Sequence, residues 1–297
     1  MNAIETPKPK PQTRIKDFLE LVKFSHTIFA LPFALASMIV AARGLPELGI
    51  IIWILVAMVG ARTAAMGFNR IVDRKIDAQN PRTANREIPA GKVSVGQASF
   101  LVGFSALLFF FAAWKLNNLA FLLAAPTLAV LFFYSFCKRF TSLSHFVLGI
   151  CLGIAPAGAW VAVTGKLEVA PAILALAVMF WVAGFDVIYA TMDDEFDRKA
   201  GLRSLVQKLG VSRALAAARV FHFAFIALLG VFGFLVLKST PYFAGVLIIA
   251  AFLAWEHVLV RPDDLRRVNA AFFSVNGIIS VVFLGVVALA VWLQRGI

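Results

Sequence analysis

Charge is scarce in this sequence. Only 15% of its 297 residues are Asp, Glu, Lys or Arg, against about 25% in ordinary soluble domains. Cysteine is nearly missing: Cys137 and Cys151 both lie in apolar stretches and are too few for a disulfide framework. The four histidines, His26, His145, His222 and His257, are scattered without metal-ligand spacing. The sequence also lacks Cys-x-x-Cys, Gly-x-Ser-x-Gly and the Gly-x-x-x-x-Gly-Lys-Ser/Thr phosphate loop. These absences exclude zinc scaffolds, esterase-type nucleophiles and P-loop nucleotide hydrolysis.

What remains is apolar. Hydrophobic residues make up 61% of the chain and mean hydropathy is +0.87, the composition of a polytopic membrane protein. Nine apolar runs are long enough to be read as spans: 25–42, 48–70, 97–115, 118–137, 143–163, 169–192, 212–237, 241–259 and 270–293. Unbroken runs do not alternate as barrel strands do, so backbone satisfaction in lipid leaves helices. The expected fold is all-α: a nine-helix transmembrane bundle with cytoplasmic helical and loop caps. Residues 1–14, with Pro7, Pro9 and Pro11, read as a disordered tail without a signal-peptide pattern. Residues 15–297 read as one domain, entered through an interfacial helix at Ile15–Phe24.

Net charge is +12. On a soluble protein this would suggest nucleic acid. Here it sorts by topology: 21 of the 28 Lys and Arg residues fall on the side of the N-terminal tail and of the loops after spans two, four, six and eight. That side should be cytoplasmic in a bacterial-type cell membrane, with the C-terminus outside. No nucleic-acid partner is expected.

Two loops on the basic side are long and charged. One opens with Asn69-Arg70-Ile71-Val72-Asp73-Arg74-Lys75-Ile76-Asp77, the other with Asp193-Asp194-Glu195-Phe196-Asp197-Arg198-Lys199. Four-residue spacing stacks two side chains on one helical face. Two such pairs at equivalent ends of spans would repel unless cations join them. Hard carboxylate oxygens suit Mg²⁺, which shares its coordination with phosphate oxygens. A diphosphate bridged by Mg²⁺ fits that arrangement. Tyr134 and Lys138 share a face at the end of span four, where Lys138 and Arg139 could neutralise a leaving diphosphate. Loop 80–91 carries Arg82 and Arg86 between prolines and could fold over the site. Arg62 and Asp186 lie inside spans, where ionisable groups face a cavity or one another. A carrier of cations or organic anions is the rival reading, though its site should lie nearer the midplane.

With Asn69-x-x-x-Asp73-x-x-x-Asp77, Tyr134-x-x-x-Lys138 and Asp193-x-x-x-Asp197 in this order, the chain resembles the UbiA superfamily of intramembrane aromatic prenyltransferases. The resemblance covers nearly everything after the tail. The stretches 23–33 and 81–91 look like the 4-hydroxybenzoate polyprenyltransferase branch, especially its bacterial subgroup in the futalosine route to menaquinone. Arg70 stands where some ubiquinone-pathway members have Asp. The resemblance implies Mg²⁺ held by Asp73, Asp77, Asp193 and Asp197 with Asn69, and a polyprenyl diphosphate as donor. Lys138, Arg139, Arg70 and Lys199 would contact the diphosphate, and Asp73, Asp193, Lys138 and Tyr134 would form the catalytic group. The acceptor would be a hydroxy-aromatic acid, either 4-hydroxybenzoate-type or a dihydroxynaphthoate. Helical spacing alone nominates Arg62 to hold its carboxylate.

Overall fold

The computed structural model describes residues 15–22 and 27–295; the expected N-terminal tail lies outside them. The helices are α1 (Ile15–Leu21), α2 (Thr27–Ala41), α3 (Leu48–Gln79), α4 (Val95–Leu116), α5 (Asn118–Cys137), α6 (Ser144–Thr164), α7 (Val169–Ala190), α8 (Asp194–Lys199), α9 (Leu205–Leu209), α10 (Val211–Val236), α11 (Thr240–Leu259), α12 (Val268–Ala270) and α13 (Asn276–Arg295). Among the described residues the only β-structure is an isolated bridge between Arg261 and Asp264.

Eight helical segments are long and apolar enough to cross a bilayer. The exception to the nine-span expectation is the first, where the apolar helix Phe29–Ala41 is shorter. It is nonetheless central: Phe33, Ala34 and Ala36 are buried, and α2 packs against both α6 and α13. Neighbours otherwise follow chain order, α3 on α4, α4 on α5, α5 on α6, α6 on α7, α7 on α10, α10 on α11 and α11 on α13.

Two boundaries differ from the sequence reading, and both concern the acidic motifs. The second span does not end at residue 70. Helix α3 runs 32 residues, about 48 Å at 1.5 Å per residue, against a hydrocarbon core of about 30 Å. Its charged last third therefore stays helical beyond the apolar part, and the first motif sits on a continuous helix. The sixth span ends at Ala190, and a 3₁₀ turn, Thr191–Asp193, leads into α8. Asp193 thus occupies a break between two helices.

Helix ends are fixed by named side chains. Ser94 and Gln97 form a reciprocal capping box at the start of α4. Asn117 caps α5 through Ala120 and donates to the Val161 carbonyl at 2.8 Å, tying the α4–α5 turn to the end of α6. Helices α6 and α7 pack backbone to backbone. Gly149 and Gly153, one turn apart, lie against the backbone carbonyls of Met179 and Ala175, the small-x-x-x-small arrangement that lets membrane helices approach. A β-carbon at either glycine meets main chain, which cannot swing aside. Gly149→Ala and Gly153→Ala should each lower stability by about 1–3 kcal/mol, the usual cost of overpacking. Thermal unfolding in detergent checks this, and an unchanged midpoint would contradict the packing account.

Polar side chains also join helices away from the acidic motifs. Trp181 donates its Nε1 to Asn276 at 2.7 Å, and Asn276 donates to Glu256 at 2.7 Å and to the Ala271 carbonyl at 3.2 Å. The last bond accompanies a π-helical turn at Ala271–Val275. His222 bonds His257 at 3.0 Å and fits against Gly184. Asn276 is thus an interhelical bond-former.

Candidate active site

The acidic motifs meet at one end of the bundle, and a basic strap holds them. On α3, Asn69 donates to Asp73 at 3.0 Å and reaches Ser135 of α5 at 3.5 Å. The other Asp73 oxygen accepts from Arg139 at 2.8 Å, and Arg139 also bonds the Ser135 and Val72 carbonyls. One turn further, Asp77 Oδ1 accepts from Arg86 at 2.6 Å. Asp77 Oδ2 is buried without a hydrogen bond, with Arg70 4.0 Å away.

Arg70 itself is only 3% exposed and donates to the Leu21 carbonyl at 3.2 Å. The structure therefore places it behind Asp77, anchoring α1, rather than facing the open side of the site. Lys199 is also set apart: it is exposed and bonds Glu195 on its own helix at 2.7 Å.

Loop 80–87 crosses from α3 to the second motif. Arg82 grips Asp193 with two bonds, Nε to Oδ1 at 2.8 Å and Nη2 to Oδ2 at 2.5 Å. Asn80 adds a third at 3.2 Å and orders the loop by accepting from the Arg82 amide. Arg82 also donates to the Tyr189 hydroxyl at 3.0 Å. Burial works against the charge of Arg82, but the hydrogen bond and attraction of Asp193 outweigh it and hold its pKa above the ordinary arginine value. The loop expected to cover the site does so, with one arginine on each acidic motif.

Lys138 is within electrostatic reach of Asp73, Asp186, Asp193 and Asp197. Its carbonyl accepts from the Arg203 amide at 2.7 Å, and Arg203 bonds the Phe140 carbonyl at 2.8 Å. The loop after the second motif is thereby sewn to the end of α5. Asp197 is buried. Asp194, by contrast, is occupied structurally by Gln207 at 2.6 Å.

Below this end lies a cavity of about 470 Å³ walled by α3, α4, α5 and α6. On α3 it runs from Ile54 to Asn69, about 22 Å of helix. Its lining is almost wholly apolar, from Leu116 and Leu167 at the far end to Met66 and Leu148 near the motifs. The polar groups on its wall include Asn69, Tyr134 and Arg62.

Two further residues bear on chemistry. Asp186 bonds His145 Nδ1 at 2.6 Å, so the partner of this intramembrane carboxylate is a histidine of α6. Spacing in the sequence nominates Asp186 but gives His145 no motif. A single ionisable residue in the first turn of an apolar helix was the signal available.

Among the described residues no three His, Cys, Asp or Glu side chains converge tightly enough to hold a metal ion. Arg82, Arg86 and Arg139 neutralise the carboxylates instead. The donor set itself still suits a hard divalent cation: Asp73, Asp77, Asp193 and Asp197 offer carboxylate oxygens, one of them buried without a hydrogen bond.

Residues 30–278 match the model of the UbiA prenyltransferase family. A 4-hydroxybenzoate octaprenyltransferase from Klebsiella pneumoniae subsp. pneumoniae is 31% identical over 281 residues, covering 92% of this chain and 96% of that protein. One from Methylobacillus flagellatus is 31% identical over 249 residues, 84% of this chain and 83% of its own. The apo structure of a UbiA homolog from Aeropyrum pernix K1 superposes with a TM-score of 0.78 at 31% identity, covering 91% of this chain and 98% of the other. A UbiA homolog from Archaeoglobus fulgidus, bound to GPP and Mg²⁺, shares the fold with a TM-score of 0.74 at 20% identity, covering 93% and 99%.

Proposed function

The chain belongs to the UbiA prenyltransferase family, and on that premise we propose that it transfers a polyprenyl group from polyprenyl diphosphate to the ring of a hydroxy-aromatic acid of the 4-hydroxybenzoate type. The carrier reading falls with the family. The observation that supports the proposal most is the meeting of two Asp-x-x-x-Asp motifs at the mouth of a long apolar cavity. One end suits a diphosphate and the other an isoprenoid tail. The relatives named above for 4-hydroxybenzoate favour that acceptor over a naphthoate.

Asp73, Asp77, Asp193 and Asp197, with Asn69, would hold Mg²⁺, which when bound supplies Lewis-acid neutralisation of the diphosphate. The protein's own residues do the rest. Lys138 and Arg139 face the leaving group, and Arg82 and Arg86 exchange carboxylate partners for phosphate oxygens. Arg62, deeper on the cavity wall, takes the acceptor carboxylate. The allylic carbon–oxygen bond breaks with its electron pair going to diphosphate. The allylic carbon joins the ring carbon beside the hydroxyl, and the proton on that carbon passes to a carboxylate. Asp186 is the one we assign. It lies two helical turns inside Asp193 and within electrostatic reach of Tyr134 on the cavity wall. From the Lys and Arg distribution we place this end of the bundle at the cytoplasmic face.

The test is mass spectrometry of products formed by the protein in nanodiscs from labelled prenyl diphosphate, with 4-hydroxybenzoate and a dihydroxynaphthoate in competition. The expected result is ring-prenylated benzoate as the main product, abolished by EDTA and restored by Mg²⁺. Exclusive prenylation of the naphthoate would overturn the acceptor assignment. Undiminished transfer in EDTA would overturn the metal role.

A further inference from the structure

His145 lies in the first turn of α6 and is fully enclosed, whereas the Asp186 side chain keeps 14% of its surface exposed. Of the two, the carboxylate is the open member. Their pairing follows from the helix register. The antiparallel contacts of Gly153 with Ala175 and of Gly149 with Met179 carry the next turn of α6, at His145, to the end of α7 that bears Asp186.

The hydrogen bonds fix the state of the ring. The backbone N–H of Leu205, at the start of α9, donates to His145 Nε2 at 3.3 Å. An accepting Nε2 has no proton, so the proton of the neutral imidazole sits on Nδ1 and is donated to Asp186 Oδ2 at 2.6 Å. Such a ring gives the carboxylate one strong, directed donor, which holds Asp186 in one orientation. We propose that His145 is a positioning residue of this enzyme. As the Nδ1–H tautomer set by Leu205, it holds Asp186 ready to take the ring proton released when the carbon–carbon bond forms. The inference rests on the prenyl-transfer reading given above. It also ties proton removal to the second acidic motif, because Leu205 follows the loop that leaves α8.

Two amide substitutions separate this role from a structural one. In His145→Asn the amide nitrogen falls near the place of Nδ1 and still donates to Asp186, but the bond to Leu205 is lost. In His145→Gln the amide oxygen falls near Nε2 and still accepts from Leu205, but Asp186 loses its donor. The expected result is kcat near wild type for His145→Asn. For His145→Gln, kcat should fall about 10²-fold, the lower end of a general-base contribution, with KM for prenyl diphosphate unchanged. The reverse order, or equal losses in both, would overturn the proposal in favour of a bond that merely holds α9. Nitrogen NMR of ¹⁵N-histidine-labelled wild type gives a readout independent of activity. It should show a neutral Nδ1–H ring at neutral pH, and an imidazolium or an Nε2–H tautomer at His145 would equally overturn it. Wild type that forms no prenylated product would sink the functional reading itself while leaving the tautomer result standing.

Discussion

Asp193→Asn should reduce prenyl transfer by about 10³-fold or more. Removing a single donor that stabilises charge in a transition state commonly costs about 10²–10³, and this substitution touches more than one such element. Asp193 carries the second acidic motif at the break between α7 and α8. It receives both bonds of Arg82 and the amide of Asn80, so it also joins the strap to the bundle. An asparagine keeps the size and one acceptor oxygen. It removes the negative charge that a divalent cation would need and half of the bidentate partner of Arg82. The neighbouring Asp194→Asn is the control. That carboxylate is engaged by Gln207 and Arg198, so transfer should change little. The measurement is initial rate in native membranes at saturating Mg²⁺ and prenyl diphosphate, normalised to the amount of folded protein. Comparable losses at both positions would mean that the segment matters for folding and that Asp193 has no special role.

The local pattern of this site was written in the sequence, while its long-range partners were not. Asn69, Asp73 and Asp77 share a face because 3.6-residue periodicity dictates it, and Tyr134 and Lys138 follow the same rule. Hydropathy was enough to find the spans, but it could not find where α3 stops. The helix continues through Arg70, Arg74 and Lys75 once it leaves the apolar layer, where charge no longer opposes helix. Hydropathy ended the span at residue 70, nine residues before the helix ends at Gln79. The partners of Asp193 come from 111 and 113 residues away, as Arg82 and Asn80. No spacing rule predicts such contacts. They follow from the folding of loop 80–87 across the bundle end. His145 is illegible in the sequence for a related reason. A lone histidine carries no motif, and its chemistry appears only when α6 and α7 pack through two glycines and bring Asp186 opposite it. Arg70 shows the converse case. Its place inside the acidic motif suggested contact with substrate, yet the helical face it occupies turns it toward Leu21.

Arg62→Met should raise KM for the aromatic acid by about 30-fold to several thousand-fold and leave KM for prenyl diphosphate close to wild type. Arg62 is seven residues before Asn69, two helical turns or about 10.5 Å deeper into the bundle, and it lines the same cavity. The surroundings there are apolar, with Met58, Met66 and Ala65 on the same helix wall. A charge in such a place is costly unless function requires it, and a bound carboxylate would gain most where water is excluded. Truncating one side of a buried, hydrogen-bonded ion pair costs about 2–5 kcal/mol, and each 1.4 kcal/mol is tenfold in affinity, which sets the range. Methionine keeps most of the length and volume, so loss of packing does not dominate. Arg62→Lys should recover only part of the affinity, since an ammonium keeps the charge but lacks the planar fork that matches a carboxylate. Measuring both KM values for each variant, with 4-hydroxybenzoate and its carboxamide as acceptors, separates the roles. If Arg62 binds the carboxylate, the wild type discriminates strongly between the two and Arg62→Met does not. Equal discrimination by wild type and Arg62→Met would assign the guanidinium to helix packing and move the acceptor carboxylate elsewhere in the cavity.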